Sequence, residues 1–538
     1  MWLISLALPA LADPLFVYDP SAIPGPQPCA SDEDPSAEGC YTNQAQLADL
    51  DGDGDLDIVY SNGGGYYEPG EAQPLAVYRN DGGVFSYVTD DALGGFTGRV
   101  RQVSIGDIDG DGDLDMIVPD GYAQQPDAVF VNDGGTFANE PERLGTTSRA
   151  GATRLGDVDD DGDLDLFIAD WGDAPPSSEG VGHLYLNDGT GEFSEWVGAI
   201  PESLSGTGTG PIDSDFLDID ADNDLDLIIA SREGDSLLLV NDGRGSFADA
   251  DEQLPPQGGP YVYGPDACDV DGDNDMDLWL DGGARNGGEQ LLLNDGAGTF
   301  SDQTNARVEG NPSADDNEVQ CADVDQDGDM DAVIASLSDT ERVLENDGGS
   351  FTLREDTFVD SADSAISDST LGMALGDLDG DFILDAVTGQ GESGDDYLNK
   401  VYWGTGPTDQ IPPVLRHVDT VTDMPDRTTV VLHFAVQEGV TSEVGPVLKL
   451  VWADLDGEKQ PAMWMGGDLF RVEWELGNGP HTFRACATDP AGNEACSSEQ
   501  SFSVGGEDGK GCGCGHSASA GWFWALGALG IAIRGQRR

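Results

Sequence analysis

The residues best placed to do chemistry in this chain fall in one nine-residue pattern, Asp-x-Asp-x-Asp-(Gly/Asn)-Asp-x-Asp. It appears first as Asp49, Asp51, Asp53, Asp55 and Asp57. It returns as Asp107, Asp109, Asp111, Asp113 and Asp115; as Asp157, Asp159, Asp161, Asp163 and Asp165; and as Asp218, Asp220, Asp222, Asp224 and Asp226. Further copies are Asp269, Asp271, Asp273, Asp275 and Asp277, then Asp323, Asp325, Asp327, Asp329 and Asp331. The seventh holds Asp377, Asp379, Asp381 and Asp385, with Ile383 at position 7. Carboxylates at positions 1, 3, 5 and 9, with the carbonyl of position 7 between them, suit Ca²⁺, which takes six to eight oxygens at about 2.3–2.6 Å. Position 6 must turn sharply, and Gly54, Gly112, Gly162, Asn223, Asn274 and Gly328 tolerate positive φ there. No Cys or His lies in any copy, which disfavours zinc and copper. The expectation is about seven calcium ions, one per copy, in a structural role. Phe382 replaces the turn residue in the seventh copy, so that site is expected to bind less tightly.

Seven such loops need a repeated scaffold. Their starts are separated by 58, 50, 61, 51, 54 and 54 residues. A short strand-like run such as Val103-Ser104-Ile105 precedes each loop, and an apolar run such as Leu164 to Ala169 or Leu225 to Ala230 follows it. In the first six units an apolar run then ends in Asn-Asp-Gly and a Phe, at Asn80, Asn132, Asn187, Asn241, Asn294 and Asn346. Asn-Asp-Gly is a hairpin turn signal. Each unit therefore holds about four short strands. The run after each loop is apolar on both faces, as expected for a sheet covered on both sides. Stacked propeller blades cover sheets in this way, and seven units without evident caps suit ring closure.

On these repeats the chain resembles the FG-GAP/VCBS repeat family, whose members include the seven-bladed propeller of integrin α-subunits. The resemblance spans about residues 41–406. It implies an all-β fold: a seven-bladed β-propeller, followed here by a small β-sandwich. Residues 411–505 alternate as strands, including Thr429 to Val436, Val447 to Trp452, Phe470 to Trp474 and Thr482 to Thr488, and resemble immunoglobulin-like or fibronectin-like modules. The expected role of that block is a spacer.

The chain has 538 residues and a formal charge of -81, from 23 basic and 104 acidic residues. That balance argues against nucleic acid and against adsorption to anionic lipid. Residues 1–12 read as a secretory signal, with Ala10-Leu11-Ala12 at the cleavage site. Residues 13–40 read as an irregular Pro-rich lead-in. Residues 506–517 are a Gly/Cys linker with Cys512 and Cys514, and 518–538 an apolar anchor ending in Arg534, Arg537 and Arg538. That tail resembles myxobacterial C-terminal sorting tails, which implies display at the cell surface or outer membrane, or secretion after processing. Membrane contact is expected through this tail only. Cys29 with Cys40 and Cys486 with Cys496 read as short disulfide loops; Cys268 and Cys321 could be a bridge or two buried thiols.

No HExxH, G-x-S-x-G or P-loop motif appears, and the five histidines, His183, His417, His433, His481 and His516, are scattered. His433 reads as packed rather than reactive. Tyr66, Tyr67, Trp171, Tyr261 and Tyr263 lie between motifs, where they could meet a ligand or simply pack. No catalytic residue and no organic cofactor are expected. The leading expectation is a calcium-binding adhesion module with a protein or glycan ligand on one propeller face. A secreted polysaccharide hydrolase or lyase, and a structural envelope protein, are the alternatives.

Overall fold

The computed structural model describes residues 14–504 except 26, 28, 30–38, 64–69, 172–179, 181, 202–203, 205–209, 257–261, 283–287, 355, 363, 368, 392–396, 421–428, 443–444 and 446–447. The signal segment, the Gly/Cys linker, the C-terminal anchor, and Tyr66, Tyr67 and Tyr261 lie outside the described residues. What is described is all-β, with only short helical turns such as Thr89–Ala92 and Thr304–Arg307.

The first repeat shows the plan. Thr42–Ala48 runs into the acidic loop, and Asp57–Asn62 leaves it antiparallel, with Ala48 opposite Asp57. Ala76–Arg79 and Ser86–Tyr87 complete a four-stranded sheet in which each strand lies beside its predecessor. Each acidic loop is therefore the tip of a β-hairpin. The other six units open with Ser104–Gly106, Ala150–Gly156, Pro211–Leu217, Val262–Cys268, Asp316–Ala322 and Thr370–Gly376.

The doubly apolar strands are covered on both faces. In Asp165–Asp170, Leu166, Phe167, Ile168 and Ala169 are all fully buried. Leu166 and Ile168 pack towards the second sheet with Ile117 and Val129. Phe167 and Ala169 pack towards the fourth with Phe216 and Leu227. Similar clusters join each sheet to the next, and Leu47, Ile58 and Tyr60 of the first pack against Ala374 and Val387 of the seventh. The packing order thus returns to its start, although no single sheet closes on itself. Burying both faces of every sheet removes apolar area from water without leaving an end unit to cap.

Two features differ from the expectation. Part of the lead-in is ordered: Phe16–Tyr18 adds to the seventh sheet, antiparallel to Lys400–Gly404. That sheet has no Asn-Asp-Gly hairpin of its own, so its fourth strand is Phe16–Tyr18, with Phe358–Val359 parallel to it at the edge. Secondly, the C-terminal block does not stand clear of the repeats. Its two sheets share a core of Val430, Leu432 and Phe434 against Val451, Ala453, Phe483 and Phe502. The block seats on the ends of the loop-leading strands. Asp157 N–H donates to Met465 O at 2.6 Å and Asp323 N–H to Gly439 O at 2.9 Å. Asp269 N–H donates to Gln437 Oε1 at 3.1 Å. Backbone N–H groups at buried strand ends need such acceptors.

Cys268 and Cys321 form a disulfide between the leading strands of the fifth and sixth units; Cys29–Cys40 and Cys486–Cys496 are also joined. A further link repeats around the array. The turn Asn of each of the first six units reaches into the preceding unit's loop. Asn80 Nδ2 donates to Leu378 O, Asn132 to Leu50 O, Asn187 to Ile108 O, Asn241 to Val158 O, Asn294 to Ile219 O and Asn346 to Val270 O, all at 2.7–2.8 Å. Each also donates to its own loop, as Asn241 does to Leu225 O at 3.1 Å. Asn241→Ala strands both carbonyls in a buried site. It should lower stability by about 2 kcal/mol in chemical denaturation, with little change in the strand signal by circular dichroism.

Candidate metal centres

Two hairpin strands bring the loop positions together. The first copy wraps its backbone around the Asp49 side chain: Oδ1 accepts the N–H of Gly52 and Asp53, and Oδ2 that of Gly54. Asp53 Oδ1 accepts the Asp55 N–H. At position 9, Asp57 Oδ2 accepts the Leu50 N–H at 3.0 Å and Oδ1 the Asn80 N–H at 2.8 Å. The same position 9 contacts recur at Asp115, Asp165, Asp226, Asp277 and Asp331. In the seventh copy Asp385 takes the N–H of Leu378 and, for want of the Asn, that of Gly404.

Ligand atoms then converge. One oxygen each from Asp49, Asp51 and Asp53 lie within 4.8 Å of one another, as do those of Asp107, Asp109 and Asp115; Asp157, Asp159 and Asp165; Asp218, Asp220 and Asp226; and Asp269, Asp271 and Asp273. Position 3 is singular. Oδ1 of Asp51, Asp109, Asp159, Asp220 and Asp325 is buried with no hydrogen-bond partner among the described residues. A buried carboxylate oxygen left unpaired is costly, and a hard cation at the centre of the loop would remove that cost. The donor set is wholly oxygen, which fits Ca²⁺.

Burial is the main cause of raised carboxyl pKa values here. It lifts position 9 to about 7 at Asp57, Asp115 and Asp385, and to about 8 at Asp165, Asp226, Asp277 and Asp331. Backbone hydrogen bonds pull the other way, and neighbouring loop carboxylates add to the rise. At position 1 burial lifts Asp157 and Asp218 to about 7 and Asp323 to about 6. Ionising these acids together at neutral pH calls for a compensating positive charge.

Position 6 has positive φ in every copy, from 62° at Phe382 to 98° at Gly162 and Gly328. Position 4 does too, which the pattern did not mark. Gly52, Gly110, Gly272 and Gly380 adopt it freely, but so do Asp160 at 60°, Ala221 at 63° and Gln326 at 58°. Position 7 has an unforeseen side-chain task. In the first, second and sixth units the hairpin-turn glycine donates to it: Gly82 N–H to Asp55, Gly134 to Asp113 and Gly348 to Asp329, at 2.6–2.8 Å. Ile383 holds this place only in the seventh unit, which lacks the turn. The three units that make this contact are those whose turn reads Asn-Asp-Gly-Gly, which was the available signal.

Arginines also tie loops across units. Arg79 pairs with Asp51 at 2.8 Å and donates to Gly135 O in the next unit. Arg307 pairs with Asp271 at 3.1 Å and donates to Gly349 O. The C-terminal block contributes too. His433 bridges Asp160 at 3.0 Å and Asp419 at 3.2 Å, and Arg471 reaches Asp160 at 3.0 Å. Burial works to lower the His433 pKa, but its hydrogen bonds to the two carboxylates outweigh it and lift it to about 9. His433 is thus a charged docking residue, more engaged than the packed residue its β-run suggested. Trp171 is buried in the core between the fourth and fifth sheets, with the Arg101 guanidinium over its ring. Tyr263 packs against that same core.

Comparison with known proteins bears on these repeats. An FG-GAP-like repeat matches residues 49–118, 157–229, 218–280 and 323–388, spans that take in all seven acidic loops. No curated protein matches the chain. Among solved structures, the fibronectin(III)-like modules of Clostridium thermocellum CbhA align at 12% identity over 32% of this chain and 82% of theirs, with a TM-score of 0.14. The Trypanosoma rangeli sialidase in complex with the inhibitor DANA aligns at 10% identity over 68% of this chain and 54% of its own, with a TM-score of 0.31. Scores this low carry no functional argument.

Phe382 is the one bulky residue forced to positive φ at position 6, and 39% of its surface is exposed. Phe382→Asn, the residue used at Asn223 and Asn274, should raise stability by about 1 kcal/mol in denaturant titration, since little packing is lost and backbone strain is relieved.

Proposed function

Because this chain carries FG-GAP-like repeats over its seven acidic loops, we propose that it is a calcium-loaded, seven-bladed β-propeller capped by an immunoglobulin-like sandwich, and that it works as an extracellular binding module. The unpartnered position 3 oxygens in five loops carry the calcium reading. Positions 1, 3, 5 and 9 would supply the carboxylates, and position 7 its carbonyl. Each ion would lock one hairpin tip and let carboxylates of like charge stay ionised while packed together.

Binding by the repeats favours a partner on the array surface. The C-terminal block covers the loop ends of the third to sixth units, through Asp157, Asp160, Asn223, Asn274 and Asp323. A partner therefore has most room on the opposite face. Three disulfides are consistent with an extracellular setting. No helix among the described residues is long and apolar enough to cross a membrane. The signal and the sorting tail rest on sequence alone.

Native mass spectrometry of the folded protein should count about seven bound calcium ions from the loops. Chelation with EDTA should lower the melting temperature by at least ten degrees, because ions that bind only the folded form stabilise it by mass action. Unchanged melting and no bound metal would remove the calcium reading. Arg471→Ala in the calcium-loaded protein should leave the ion count intact while making the C-terminal block more accessible to limited proteolysis.

A further inference from the structure

We propose a cation site unrelated to the acidic loops, buried between the fifth and sixth sheets at the strand ends away from the loops, and formed by Asp281, Glu289 and Asp316. Asp281 lies near the end of Asp277–Gly282, Glu289 just before Gln290–Leu293, and Asp316 at the start of Asp316–Ala322. All three are essentially inaccessible, at 0%, 1% and 0% exposure.

Among the described residues, one guanidinium serves this cluster. Arg342 donates to Asp316 through both terminal nitrogens, to Glu289 at 3.3 Å and, through Nε, to Asn311 Oδ1 at 2.9 Å. Asn311 in turn donates to Glu289. Asp281 receives nothing. Both its oxygens are buried without a hydrogen-bond partner among the described residues. Yet the charges of Glu289 and Asp316 act on it directly, with Asp315 adding a smaller like-charge effect and Arg342 an opposing one.

Charge and geometry then point to an ion. Among the described residues, three carboxylates against one arginine leave two negative charges in a dry site, which is costly unless neutralised. Protonating Asp281 would remove one of these charges but leave the other, and would still leave a buried carboxyl without a partner among the described residues. A hard divalent cation between Asp281 and the Glu289–Asp316 pair supplies two positive charges and uses the oxygens that arginine leaves free. Position also argues for a purpose. The residue twelve places after each loop start is Ser61, Pro119, Ala169, Ala230, Ala335 or Gly389 in the other units, and only the fifth places an acid there. The same pair of sheets is bridged nearer the loops by Cys268–Cys321, so this ion would fasten the other end of that junction.

The test counts ions in the intact protein by native mass spectrometry in excess calcium, for wild type, Asp281→Asn and Asp281→Ala. Alanine is what the fold already tolerates at this place in three other units, so that variant should fold. The expected result is one ion fewer in both variants. Equal counts in wild type and a folded variant would overturn the proposal. So would an infrared carboxylic-acid band in the calcium-loaded wild type that disappears in Asp281→Asn, since that band marks a protonated Asp281. A control, Asp57→Asn, should lose a loop ion whether or not this site exists. Loss there without loss at Asp281 would count against this site alone.

Discussion

Carboxylates buried beside other carboxylates need compensation, and the molecule is built around that need. The formal charge of -81 is not spread over the surface as a solvating coat. Much of it is gathered into hairpin tips whose backbone N–H groups point inward at the side chains. Asp49, Asp53 and Asp57 each accept from the loop or from the turn beside it, while an Asp51 oxygen is left facing the centre. Backbone dipoles offset part of the repulsion, but burial still drives the ninth residue of each loop towards its neutral form. The proposed calcium would complete what the backbone begins.

Loop and scaffold are one device. The position 9 carboxylate fixes the N–H of the turn Asn, and the side chain of that Asn crosses to the loop of the preceding unit. Anything that orders one hairpin tip therefore orders its neighbour. The seventh unit shows the logic by departing from it. It has no turn Asn, no Asp at position 7, and a strand borrowed from Phe16–Tyr18. Those differences belong together, since the place of that hairpin's outer strand is taken by Phe16–Tyr18.

The C-terminal block extends the same electrostatics. It brings His433 and Arg471 to Asp160, a loop residue outside the expected ligand positions. It also supplies carbonyl oxygens to the N–H groups of Asp157 and Asp323, which begin two loops. Its docking thus depends on the shape those loops hold. The loop ends of the third to sixth units are thereby committed to an internal contact.

The repeat, the strand count and the residues of the acidic loops were legible in the sequence, because each follows from local rules. An oxygen-donor loop needs fixed spacing, a sharp turn needs Gly or Asn, and a covered strand is apolar on both faces. Asp51, Asp109 and their equivalents could be named from spacing alone. The positive φ of Asp160, Ala221 and Gln326 could not, since those residue types do not advertise it. Neither could the Cys268–Cys321 bridge, the cross-unit reach of Asn241, or the isolation of Asp281. Each depends on which strands of distant units become neighbours, and that is set by packing the sheets against one another, not by any nine-residue window.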